Sequence, residues 1–98
     1  MSRVEIAPEV GEDFDRIFDH LALHDLDNAP ERIGAIILAL DVLEASPLIG
    51  RPAANGMREL IIGRGSRGYV ALYRYVDELD TAFVLAVRSQ REAGYRRG

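Results

Sequence analysis

The spacing of apolar residues changes character once along this chain, and that change limits the fold more than any single motif does. Between Pro8 and Ala45 the apolar residues recur with a helical period, and from Met57 to Arg88 they recur with the period of strands. In a first helix expected from Pro8 to His24, Val10, Phe14, Ile17, Phe18 and Leu21 fall on one stripe. Glu12, Asp15, Arg16 and Asp19 lie largely opposite, and acids in the opening turns suit the helix dipole. Asp25-Leu26-Asp27 breaks the pattern, and Asn28 with Pro30 and Glu31 reads as a capped start of a second helix that runs to about Ala45. Its stripe of Ile33, Ile36, Ile37, Leu40 and Leu43 is widened by Leu38, Ala39 and Val42, which leaves apolar surface for another body to cover.

Strands flank this helical hairpin. Arg3-Val4-Glu5-Ile6-Ala7 alternates with the period of a half-buried strand, and Pro8 ends it. Ser46 to Pro52 reads as a turn segment and Ala53 to Gly56 as loop, after which come strand-like runs Met57–Gly63, Tyr69–Val76 and Thr81–Arg88. The last two are separated by Asp77-Glu78-Leu79-Asp80, short enough for an antiparallel hairpin. The order β-α-α-β-β-β predicts an α+β domain with a helical hairpin packed on one face of a small antiparallel sheet. At 98 residues the chain supports one core, so residues 1–98 are expected to form a single domain. There is no cysteine, and packing alone must hold that core. No apolar run approaches the roughly 18 residues of a membrane span, and the start MSRVEIAPEVGED has no apolar leader, so a cytoplasmic protein is expected.

The net charge of −4 conceals an imbalance. Residues 1–49 hold three arginines against eleven acids, and residues 50–98 hold nine against five. All twelve cations are arginine, whose planar fork grips carboxylate or phosphate with two parallel bonds. Arg58, Arg64, Arg67, Arg88 and Arg91 are therefore expected to gather in a cationic rim that binds a target or partner. Tyr69, Tyr73 and Tyr75 share one side of a regular strand, where aromatic residues usually serve packing.

Three apparent motifs carry little. Gly63-Arg64-Gly65-Ser66-Arg67-Gly68 spells G-x-G-x-x-G, but a dinucleotide turn needs a helix after the glycines, and here a strand follows. A hairpin tip accounts for the glycines. His20 and His24 have the spacing of a metal-gripping pair, yet no third ligand of obvious spacing joins them, so no metal or cofactor is expected. Neither histidine has a serine elbow beside it, and Asp13, Asp15 and Asp19 read as a solvated face.

In the order and spacing of its pieces the chain resembles the RelE/ParE superfamily of toxins from bacterial type II toxin–antitoxin pairs. The pieces are a strand ending near Pro8, Asp13-Phe14 with Ile17, then Pro47 and Gly50-Arg51-Pro52, Arg58 opening a strand, Tyr69 and Tyr73 in the next, and Val87-Arg88-Ser89-Gln90-Arg91-Glu92. The resemblance implies one of two activities: ParE-like inhibition of DNA gyrase, or RelE-like cleavage of mRNA on the ribosome. For the nuclease it implies a set drawn from Arg58, Arg88, Arg91 and Tyr95, assisted by Arg64 or Arg67. Ser89 stands where many relatives carry a histidine, which weakens a general-base assignment. A pI near 5.1 suits gyrase better than a phosphate-dense ribosomal site, where surface acids are penalised. Either activity implies a cognate antitoxin in a hetero-oligomeric complex, with acids meeting Arg58, Arg64 and Arg67. A non-toxic nucleic-acid-binding module and an inactive antitoxin-binding scaffold are the other readings of the same arginines and tyrosines.

Overall fold

Helices and strands lie where the two apolar periods place them. The computed structural model describes residues 1–95; Arg96 and Arg97 of the polar tail lie outside the described residues. The order is β1 (Arg3–Ile6), α1 (Val10–Asp25), α2 (Ala29–Leu40), α3 (Val42–Ala45), β2 (Arg51–Pro52), β3 (Arg58–Ile62), β4 (Tyr69–Val76) and β5 (Thr81–Ser89). The expected second helix is thus divided: the chain turns at Asp41, and α3 is a separate single turn.

The five strands form one sheet in the order β1-β5-β4-β3-β2. Strands β2 to β5 pair antiparallel, as expected, whereas β1 joins β5 in parallel and makes the sheet mixed. The helical hairpin between β1 and β2 is the crossover that lets β1 lie parallel to β5 at the far edge. The turn segment also contributes a strand, since Arg51 pairs with Glu59 and Pro52 with Arg58. Pro52 sits at an edge, where its missing N–H costs the ladder least.

Val10, Ile17, Ile36, Leu40 and Leu43 from the helices meet Leu60, Tyr69, Ala71, Tyr73, Ala82, Val84 and Val87 from the sheet. Tyr69, Tyr73 and Tyr75 do share the helix-facing side of β4, and Tyr73 is fully buried. Between Val84 and Ala86 the β5 register slips by one against Leu72 and Tyr73. That bulge moves the inward side from even to odd numbers, which is why Val84 and Val87 both point into the core.

The G-x-G-x-x-G stretch is a hairpin tip, as its following strand requires. Gly63 and Gly65 have φ of 79° and 57°, in the left-handed region that favours glycine. The 3-10 turn Gly65–Arg67 then leads directly into β4.

Candidate functional site

Asp13 occupies an inward position of α1, three residues after Val10 and four before Ile17, and it is 1% exposed. The expectation of a solvated acid is therefore wrong for Asp13; Asp15 and Asp19 are exposed. A buried carboxylate needs partners. One Asp13 oxygen accepts the Val87 N–H at 3.0 Å, beside the β5 bulge, and the other accepts from Arg16 Nη1 at 2.9 Å. Arg16 also donates to both Glu92 oxygens, at 2.9 and 3.3 Å, and to the Val87 carbonyl at 3.3 Å. Glu92 in turn accepts the Ser89 N–H at 2.8 Å. Burial opposes the Arg16 charge, but hydrogen bonds to Glu92 and Asp13 hold its pKa above the ordinary value. This junction fixes α1 to β5 and draws residues 90–92 back against the helix.

A second cluster lies on the side of the sheet away from the helices. Strand alternation places Glu59 and Arg88 there, opposite the inward Leu60 and Val87. The chain after β5 carries Tyr95 to this side, where its hydroxyl donates to Glu59 at 2.6 Å and its ring lies 5.0 Å from the Arg88 guanidinium carbon. Arg51 Nε donates to the other Glu59 oxygen at 3.1 Å. The Tyr95 hydrogen bond, with help from Arg51 and Arg88, lowers the Glu59 pKa against the opposing effect of burial. Burial and the Glu59 hydrogen bond raise that of Tyr95. Arg88 Nη1 donates to the carbonyls of Ser89 and Glu92, while its buried Nε has no partner among the described residues.

Arg58 belongs to neither cluster. Its Nη1 donates to the carbonyls of Gly50 at 2.8 Å and Leu48 at 3.1 Å, pinning the segment that leads into β2. The Gly50 N–H donates to the Tyr73 hydroxyl at 2.9 Å. A Cβ at Gly50 would come within 2.6 Å of the Tyr73 ring and 2.9 Å of the Glu59 carbonyl. Gly50, Arg58 and Tyr73 are thus one packing unit.

A cleft opens between the C-terminal half of α1 and the ends of β4 and β5. Its inner part, about 240 Å³, is bounded by Arg16, Ile17, Leu21, Tyr69, Arg91 and Glu92, whose carboxylate is taken up by Arg16 and the Ser89 N–H. It continues into a shallower part of about 300 Å³ that adds His24, Arg32 and Arg67, with His20 shared by both. The His20 and His24 rings meet edge to face at 5.2 Å. Among the described residues no group of three or more metal-ligating side chains converges.

The structure accordingly separates the residues that the sequence grouped. It brings Arg88 to Tyr95 and Arg67 to Arg91, but Arg58 is held elsewhere and Arg64 is exposed at the hairpin tip. Sequence reasoning missed Glu59, Arg32 and the buried role of Asp13. The 10-13-17 spacing on α1 marked Asp13 as inward; Glu59 and Arg32 carried no comparable local signal.

The sequence matches the family model of the ParE toxin of type II toxin–antitoxin systems, parDE, over residues 4–94. No curated protein sequence matches it significantly. Among solved structures, it superposes on a chain of the chromosomal ParDE toxin–antitoxin system from P. aeruginosa with a TM-score of 0.76 at 22% identity, covering 91% of this chain and 96% of that one. A chain of the RelBE2 toxin–antitoxin complex from Mycobacterium tuberculosis gives 0.65 at 23% identity, with 91% and 98% covered. One of the intact E. coli RelBE complex gives 0.59 at 15%, with 94% and 100% covered. These likenesses establish a common α+β fold of helices on a five-stranded mixed sheet. The family match, which spans nearly the whole chain, establishes more: the chain belongs to the ParE toxin family of type II toxin–antitoxin systems.

Proposed function

We propose that this toxin arrests growth by acting on DNA gyrase, without cutting RNA, and that a cognate protein antitoxin neutralises it in a hetero-oligomeric complex. The observation that carries the choice of target is the dispersal of the nuclease set. Phosphodiester cleavage needs a base, an acid and charge-stabilising cations around one phosphate. Here Arg58 is bonded to two backbone carbonyls on the helix-facing side, Arg91 edges the cleft, and Tyr95 donates its hydroxyl to Glu59 on the opposite side. The net charge of −4 points the same way, since a ribosomal site is dense in phosphate.

The antitoxin part of the reading is supported by the neighbours named above, which come from toxin–antitoxin systems and complexes. It is supported as well by apolar surface on the outer side of α2, where Leu38 is 70% exposed. Among the described residues no helix is long and apolar enough to cross a membrane.

One cluster favours the nuclease alternative: Glu59, Arg51, Arg88 and Tyr95 put a carboxylate, two guanidinium groups and a phenol together. Two assays on the purified protein separate the readings. Loss of supercoiling by gyrase with intact ribosome-bound mRNA is expected; mRNA cleavage with unchanged supercoiling overturns the proposal.

A further inference from the structure

The described arginines fall into two groups, those held by a partner and those held by none. Arg3, Arg16 and Arg51 are paired with acids, and Arg58, Arg74 and Arg88 donate to backbone carbonyls. The side chains of Arg32, Arg64, Arg67 and Arg91 make no hydrogen bond or ion pair among the described residues; Arg64 is exposed at the hairpin tip, and the other three line the one cleft beside α1. These three come from α2, the hairpin tip and the chain after β5, so the fold, and not local sequence, gathers them.

Three guanidinium groups sharing a cleft repel one another unless an anion enters. The cleft is not uniformly polar, because Ile17, Leu21 and the nearly buried Tyr69 form its inner wall. Its deeper part, about 240 Å³, has room for one apolar side chain. A long phosphate backbone is a poor occupant, because it has no apolar group to set against the inner wall of Ile17, Leu21 and Tyr69. A short segment that supplies carboxylates and one apolar group matches both halves of the cleft at once.

We propose that this cleft is the docking site for an acidic protein segment with an apolar anchor, the carboxylates meeting Arg32, Arg67 and Arg91 and the anchor resting on Leu21 and Tyr69. Guanidinium and carboxylate groups pair through two parallel hydrogen bonds, which fixes register as well as charge. The identity of that segment as part of the antitoxin rests on the toxin–antitoxin reading; the chemistry of the cleft does not.

The test is an NMR titration of the isotopically labelled full chain, which reads binding and not toxicity, so that failure at gyrase leaves its result intact. The probe is a short glutamate peptide with two leucines, compared with the same peptide carrying lysine for glutamate and with a short oligothymidylate. The acidic peptide is expected to shift the amides of Leu21, Tyr69 and Arg91, and R32S/R67S/R91S to weaken it by about tenfold or more. R3S, which removes an arginine outside the cleft, matches part of the charge change and leaves binding intact. Undiminished binding to the triple variant, equal binding of the lysine peptide, or tighter binding of oligothymidylate at the same amides overturns the proposal. A second arm concerns the partner: a cognate antitoxin is expected to lose affinity for the triple variant, and equal affinity removes it as the occupant.

Discussion

Arg16 and Arg91 border the same cleft, yet they do opposite things. Arg16 is a quarter exposed and bonded to Asp13, Glu92 and the Val87 carbonyl, so it is part of the structure that joins α1 to β5. Arg91 is exposed, and its side chain has no partner among the described residues. The difference follows from what the backbone demands nearby. The bulge in β5 turns the Val87 N–H toward α1, where a buried donor needs an acceptor, and Asp13 with its counter-ion supplies one. Nothing in the backbone around Arg91 makes such a demand. An arginine near a cleft is therefore no sign of recognition until its partners are known.

The largest effect that separates the two regions is expected at Asp13. Replacing it with alanine leaves the Val87 N–H unpaired and removes a buried partner of Arg16, at a cost of about 3–5 kcal/mol in folding stability. The denaturation midpoint measures it. The milder D13N substitution would keep an acceptor for Val87 and lose only the ion pair, so a smaller loss is expected. A D13A protein as stable as the native chain breaks the distinction between the regions.

Next in size is Tyr73, whose hydroxyl accepts the Gly50 N–H in the core. Y73F is expected to lose about 1–2 kcal/mol, because the same shape remains but a buried donor is orphaned. This change tests whether the Gly50, Arg58 and Tyr73 unit is structural. If thermal unfolding is unaffected while growth arrest is lost, Arg58 belongs with the recognition group after all.

Much of the fold was legible from periods alone. The order of the main strands and helices, both hairpins and the inward face of β4 follow from apolar spacing and turn residues, which depend on contacts close in sequence, whereas the short β2 and the break at Asp41 do not. The parallel pairing of β1 with β5 was not legible, because an alternating run such as Arg3–Ala7 fits either direction. Of the site, the arginine richness was visible and the grouping was not. Arg58 and Arg88 point to opposite faces of the sheet, and a one-residue bulge at Leu85 reverses the parity by which such faces are counted. Arg32 reaches the cleft from α2, an element distant in sequence from Arg67 and Arg91, which share it. Such placements depend on tertiary packing, which no window along the chain contains.

The Glu59 and Tyr95 contact should give a smaller effect, present at neutral pH and lost toward both extremes. The Glu59 pKa is lowered in the fold, so its contribution is present above the unfolded value of about 4.3 and is lost as pH falls through the folded one. Tyr95 is raised, so its contribution is complete below about pH 10 and is lost as pH rises toward the folded value. Y95F removes the ionising hydroxyl, and its stability curve is expected to lose the alkaline decline attributable to this residue. An unchanged alkaline limb in Y95F, followed by thermal melts across pH, would show that the tail contact is not held in solution.

The smallest expected effect on stability is the one that sharpens the comparison most. Arg67 and Arg91 are exposed and hold nothing in place, so R67S/R91S is expected to alter folding stability by no more than about 0.5 kcal/mol per site. A slight gain is physically reasonable, because removing two of three neighbouring like charges relieves their repulsion. R16S, made at the other border of the cleft, should be destabilising by several times as much, since it leaves Asp13 buried without its counter-ion. Denaturation midpoints of the two variants, measured side by side at low and high salt, decide the matter: the repulsion term should fade as salt screens it, while the R16S deficit should persist because its partner is inside. Equal losses in both variants would mean that the cleft arginines are structural, and the docking surface would have to be sought on the apolar side of α2.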